Sequence, residues 1–168
     1  MRQWRFSMCC NVILVALALL QQPTTGPQSA TATLAVNLGS LARLAFVSTT
    51  VSFPSADPDT VPQIAGVPAS LDITAKARTT RDSQITLTVQ STDDLRSGVT
   101  VLPASLITWT STGAGFVSGT LSSSLAQVVG TWTGSGVRLG SQSFFFENRW
   151  THPPGTYTIT LMYTISAP

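Results

Sequence analysis

Apolar and polar residues alternate along most of the chain with a period of two, the pattern of a strand that buries one face and wets the other. Leu71, Ile73, Ala75 and Ala77 alternate with Ser70, Asp72, Thr74, Lys76 and Arg78. After the turn-like stretch Thr79-Thr80-Arg81-Asp82-Ser83, Ile85, Leu87 and Val89 alternate with Gln84, Thr86, Thr88 and Gln90. The two segments therefore read as an antiparallel pair. In the last strand Tyr157, Ile159, Leu161, Tyr163 and Ile165 share one face, directly after the turn formers His152-Pro153-Pro154-Gly155.

Further strands are expected over 33–38, 42–53 with a break near Ser48, 105–110, 116–121, 126–133 and 142–150, bounded by Gly, Pro or Ser-rich connections. Residues 55–62 form a long loop, and 93–98 a second one with room for one helical turn. No segment reads convincingly as a helix. About eight or nine short strands predict an all-β, antiparallel two-sheet β-sandwich, immunoglobulin-like or jelly-roll-like. The period shows which side chains face inward and leaves the strand order open.

The first 30 residues follow a different pattern. Arg2 and Arg5 precede the nine-residue apolar run Val12–Leu20, and the polar stretch Gln21–Ser29 follows it. That layout is a secretory signal peptide, and the run is too short for a permanent membrane anchor, which takes about 20 residues. Small residues at Thr24-Thr25-Gly26 and Ala30-Thr31-Ala32 put cleavage within 26–32. The expected organisation is thus a leader, 1–30, and a single domain, 31–168, of an exported protein that is periplasmic, on the cell surface or extracellular. Cys9 and Cys10 lie in the leader, so the domain has no disulfide and must hold together through its core.

Composition agrees with this picture. Ser and Thr exceed a quarter of the residues from Thr31 onward, whereas Lys and Glu, which favour helix surfaces, occur once each, as Lys76 and Glu147. The formal charge of +2 belongs to the precursor: Arg2 and Arg5 lie in the leader and all seven acids lie outside it, so the domain is neutral. Scattered charges that sum to zero give no footprint for nucleic acid or for an anionic membrane surface.

Candidate chemistry is sparse. The lone His152 sits beside two prolines and reads as a surface turn residue, and with no cysteine in the domain neither a nucleophile–histidine pair nor a zinc set can be assembled. No spacing of carboxylates suggests glycoside hydrolysis, and no phosphate-binding glycine loop is present. The domain reads as non-catalytic, and no cofactor is expected. Calcium needs only oxygen ligands, which makes the paired loop acids Asp57 with Asp59 and Asp93 with Asp94 its candidates. Among the aromatic residues Trp109, Trp132 and Phe145 are the candidates for a binding surface, since an exposed ring offers a flat platform for sugars. Trp150 shares an apolar stripe with Phe144 and Phe146 and reads as core; Phe145 must point the other way.

The closing stretch, Trp150-Thr-His-Pro-Pro-Gly-Thr-Tyr157-Thr-Ile-Thr-Leu-Met-Tyr163-Thr-Ile-Ser-Ala-Pro168, resembles the last hairpin of bacterial secreted surface sandwiches. It is similar to WxL-type cell-wall-associated domains and to spore-coat-U or fimbrial-type subunits. The Trp-x-Leu motif is missing, since the tryptophans read Trp109-Thr-Ser, Trp132-Thr-Gly and Trp150-Thr-His, and the cysteines that often staple the second group are absent. The resemblance implies a class, a structural or adhesive surface or appendage protein, and carries no site residue with it. Two functions are expected to compete. One is self-association, through pairing of Thr33–Leu38 with an open sheet edge of a neighbour. The other is a small carbohydrate- or cell-wall-binding module that uses exposed aromatic residues.

Overall fold

A computed structural model describes residues 33–168; the expected leader and its cleavage window lie outside the described residues. Eleven strands form: β1 (Leu41–Phe46), β2 (Gln63–Ala65), β3 (Leu71–Arg78), β4 (Gln84–Ser91), β5 (Leu95–Ser97), β6 (Thr100–Leu102), β7 (Ile107–Thr112), β8 (Gly119–Thr120), β9 (Gln127–Thr133), β10 (Gly136–Glu147) and β11 (Leu161–Ser166). Among the described residues the one helical element is a 3₁₀ turn at Ala104–Leu106. The larger sheet runs β1-β3-β10-β7-β8, with β2 added to β10; the smaller runs β11-β4-β9; β5 and β6 form a separate hairpin. Every pairing is antiparallel. The protein is an all-β, sandwich-like fold.

The alternation of 71–78 and 84–91 is realised as β3 and β4, but these strands do not pair with each other. β3 lies between β1 and β10, and β4 lies between β11 and β9 in the other sheet. The connection 79–83 is an arch between the sheets, with Ser83 N donating to Thr80 O at 3.2 Å and Gly134 N donating to Ser83 O at 3.0 Å. Period-two alternation is satisfied equally by strands side by side and by strands face to face, and here burial of Ile73 and Ala75 opposite Leu87 and Val89 selects the second.

Other boundaries move for local reasons. The expected strand 42–53 ends at Phe46, and only Ser52 pairs again, with Val67. The expected strand 116–121 is reduced to β8 and a bridge from Phe116 to Gly130. Residues 93–98 hold no helical turn; they open the β5–β6 hairpin, in which the Arg96 side chain hydrogen-bonds Asp93 at 2.5 Å. The expected 142–150 is the second half of β10, which begins six residues earlier and stops at Glu147. Pairing of the last strand starts at Leu161, with Thr158 bridging Arg96 before it. Residues 33–40 belong to no strand.

The core is organised around two indoles. Trp109 is 1% exposed and its Nε1–H donates to Val117 O at 2.9 Å; Trp132 donates in the same way to Ala114 O at 2.8 Å and meets the edge of Phe116 at 4.9 Å. Each ring thus buries a large apolar area while its polar edge stays paired. Close packing fixes the residue opposite. A Cβ on Gly119 would lie 2.6 Å from the Trp109 ring, so only glycine fits without displacing the indole.

Leu87 is completely buried between the sheets. Leu87→Ala is expected to lower unfolding free energy by about 2–5 kcal/mol. Val137→Ala, at an exposed site on β10, should stay within about 0.5 kcal/mol of the parent. Urea denaturation of the two variants checks the contrast.

Candidate functional site

The two sheets are joined differently along their two sides. On the β8–β9 side an isolated bridge between Phe116 and Gly130 links the sheets, with Val117 N donating to Val129 O at 2.8 Å and Thr131 N to Gly115 O at 3.0 Å. On the opposite side, among the described residues, β1 pairs only with β3 and β11 only with β4, which leaves one edge of each without a partner among those residues.

No β-ladder joins β1 to β11. A cavity of about 580 Å³ opens there, with Leu44 and Phe46 of β1 on one wall and Ile159, Leu161 and Tyr163 on the other. Its floor is core: Leu71, Ile107 and Phe144 are buried. Ser48, Thr49, Thr50 and Thr160 add hydroxyl-bearing side chains to the lining. Across the seam the rings of Phe46 and Tyr163 lie 4.8 Å apart at 56°. Beneath it the Tyr163 hydroxyl donates to Gln142 Oε1 at 2.6 Å, tying β11 to β10 across the sandwich.

The arrangement is an apolar cavity flanked by two strand edges. Unpaired strand edges supply backbone donors and acceptors, and the apolar cavity between them supplies side-chain pockets. Segment 33–38 has the matching pattern. Leu34, Val36 and Leu38 recur at every second position, lie outside any strand, and are 92%, 74% and 66% exposed. Both this segment and β11 span six residues, about 20 Å when extended.

The aromatic candidates are distributed otherwise than as platforms. Trp109 and Trp132 are buried, and Phe145 is half-buried on the outer face of β10 beside Ala65 and Thr108. Trp150, expected in the core, is 70% exposed because β10 ends before it and the chain turns at 150–151. Extending the Phe144–Phe146 alternation past Asn148 hid this residue. His152 lies in the turn region and is partly buried, with its ring 5.6 Å from that of Phe146.

The calcium candidates fall in two separate loops, and among the described residues no group of three or more His, Cys, Asp or Glu side chains comes together. Local donors engage all four. Asp57 Oδ1 accepts from Asp59 N at 2.9 Å, and Asp59 Oδ1 accepts from the Trp150 indole at 3.0 Å. Asp94 Oδ1 accepts from Ala104 N and from the Ser123 hydroxyl, both at 2.9 Å. Asp93 accepts from Arg96 through both oxygens, and this side-chain hydrogen bond holds its carboxyl below the usual range.

The chain matches no protein-family model and no curated protein. No helix among the described residues is long and apolar enough to cross a membrane.

Burial raises the Tyr163 phenol above its ordinary value of 10, so the folded state favours the neutral ring. The stabilisation this represents is complete below pH 10 and is lost as the pH rises above it. Tyr163→Phe is expected to cost about 1–3 kcal/mol at neutral pH, because Gln142 loses its donor inside the protein. The same variant should lose stability less steeply than the parent above pH 10, as followed by urea titrations across that range.

Proposed function

We propose that this protein is an exported, non-catalytic structural or adhesive surface subunit that polymerises by donating Thr33–Leu38 of one copy into the β1–β11 seam of the next. The observation that carries the reading is the conjunction, among the described residues, of an apolar cavity between two strand edges without partners and a six-residue apolar alternation that joins no strand. Removal of the expected leader within 26–32 would leave the donor segment at the free N-terminus, where it can reach a neighbour. Head-to-tail donation is a heterologous contact, which builds a filament where the rotation between copies does not close a ring.

Insertion would bury Leu34, Val36 and Leu38, each worth about 1.5–3 kcal/mol. It would also pair the two edges with backbone hydrogen bonds. The cost is the loss of chain freedom in the segment and of whatever part of the Phe46–Tyr163 contact must part to admit it. Because the donor contributes nothing to its own sheets, deleting it should spare the fold.

Size-exclusion chromatography with negative-stain microscopy of the exported protein should show concentration-dependent chains. A variant lacking 33–38 should be a folded monomer with unchanged circular dichroism, and a synthetic 33–38 peptide should bind it. A monodisperse monomer for the full protein, or unfolding on deletion of the segment, contradicts the reading.

A further inference from the structure

Exposing most of an indole to water is unfavourable, and fixing its orientation costs side-chain freedom as well. Trp150 shows both features. Its ring is 70% exposed, yet its Nε1–H donates to Asp59 Oδ1 at 3.0 Å across 91 residues of sequence. The two loops that meet there are pinned together by Asn148. Its Nδ2 donates to Ala56 O at 3.1 Å and to Val61 O at 3.0 Å, and its backbone N donates to Pro62 O at 2.9 Å. Asp59 is held in turn by its own N–H bond to Asp57 Oδ1.

The result is an exposed flat apolar surface, hydrogen-bonded at its edge to a carboxylate. We propose that Trp150 and Asp59 form a binding platform for a neutral sugar ring, the apolar face of a pyranose lying on the indole and its hydroxyls donating to the Asp59 carboxylate. A ring already fixed before binding loses little further freedom when a ligand stacks on it. Local charge selects against an acidic glycan, since Asp57 and Asp59 are negative and the nearby Arg149 is engaged by Glu147. A cation would need several rings around it, and here there is one indole. None of these residues lines the β1–β11 seam, so this site is independent of polymerisation.

Fluorescence reads the site directly. Trp109 and Trp132 are buried, and the difference in emission between the full protein and Trp150→Phe isolates the exposed indole. Chitotriose, cellotriose and maltotriose serve as neutral probes at up to tens of millimolar, with trigalacturonate as the anionic control. The expected result is a saturable change with at least one neutral probe. Titration calorimetry, which does not depend on the indole's emission, should show binding lost in Trp150→Ala and weakened about tenfold in Asp59→Asn, because a charged acceptor is exchanged for a neutral one. Circular dichroism and melting of both variants should match the parent. Absence of a saturable change with all three neutral probes, undiminished binding in Trp150→Ala, or equal binding of trigalacturonate overturns the proposal. So does dissociation of assemblies by Trp150→Ala with no effect on sugar, which would make the ring a subunit contact.

Discussion

A sandwich of two sheets has four edges, and each edge strand carries a row of backbone donors and acceptors that must be paired, covered or left to water. The rest of this molecule follows from how that constraint is met. Between β8 and β9 an isolated backbone bridge at Phe116 and Gly130 links the sheets, and the two buried indoles pack beside it. Between β1 and β11 there is no bridge or ladder, and the Phe46 and Tyr163 rings meet there while Tyr163 bonds Gln142. The two sides of the sandwich differ in this backbone link.

A side without that link is tolerable only if the remaining core is sufficient, because no cysteine follows Cys10. Sufficiency comes from interdigitation. Ile73, Leu87, Ile107, Val89 and Val129 are essentially completely buried, and glycines stand where the indoles approach the backbone. The seam therefore sits beside a well-packed centre. That combination sets a packed core beside two strand edges without partners among the described residues.

Much of this was legible in the sequence, and the limits of legibility are physical. Alternation over 71–78, 84–91 and 157–165 identified inward-facing residues correctly, because burial of one face imposes a period of two. It misassigned the partner of β3, since the same pattern suits a neighbour in the sheet and a neighbour across it. The short strands β2, β5 and β6 were missed because three residues are too few to show a period. Trp150 was misplaced because the Phe144–Phe146 alternation gives no sign that β10 stops at Glu147. The apolar pattern of 33–38 was visible, but that it pairs with no strand among the described residues depends on every other pairing and emerges only from the fold.

The central claim is that the β1 and β11 edges are open in the isolated subunit and are closed by a donated strand. Amide hydrogen exchange resolved by residue tests it most directly. Alternate amides of β1 and β11 that face the seam should exchange rapidly in the subunit lacking 33–38 and become protected when the 33–38 peptide is added, while amides of β4 and β9 change little. Protection of those edge amides before any peptide is present, or no gain in protection once it is bound, would contradict it.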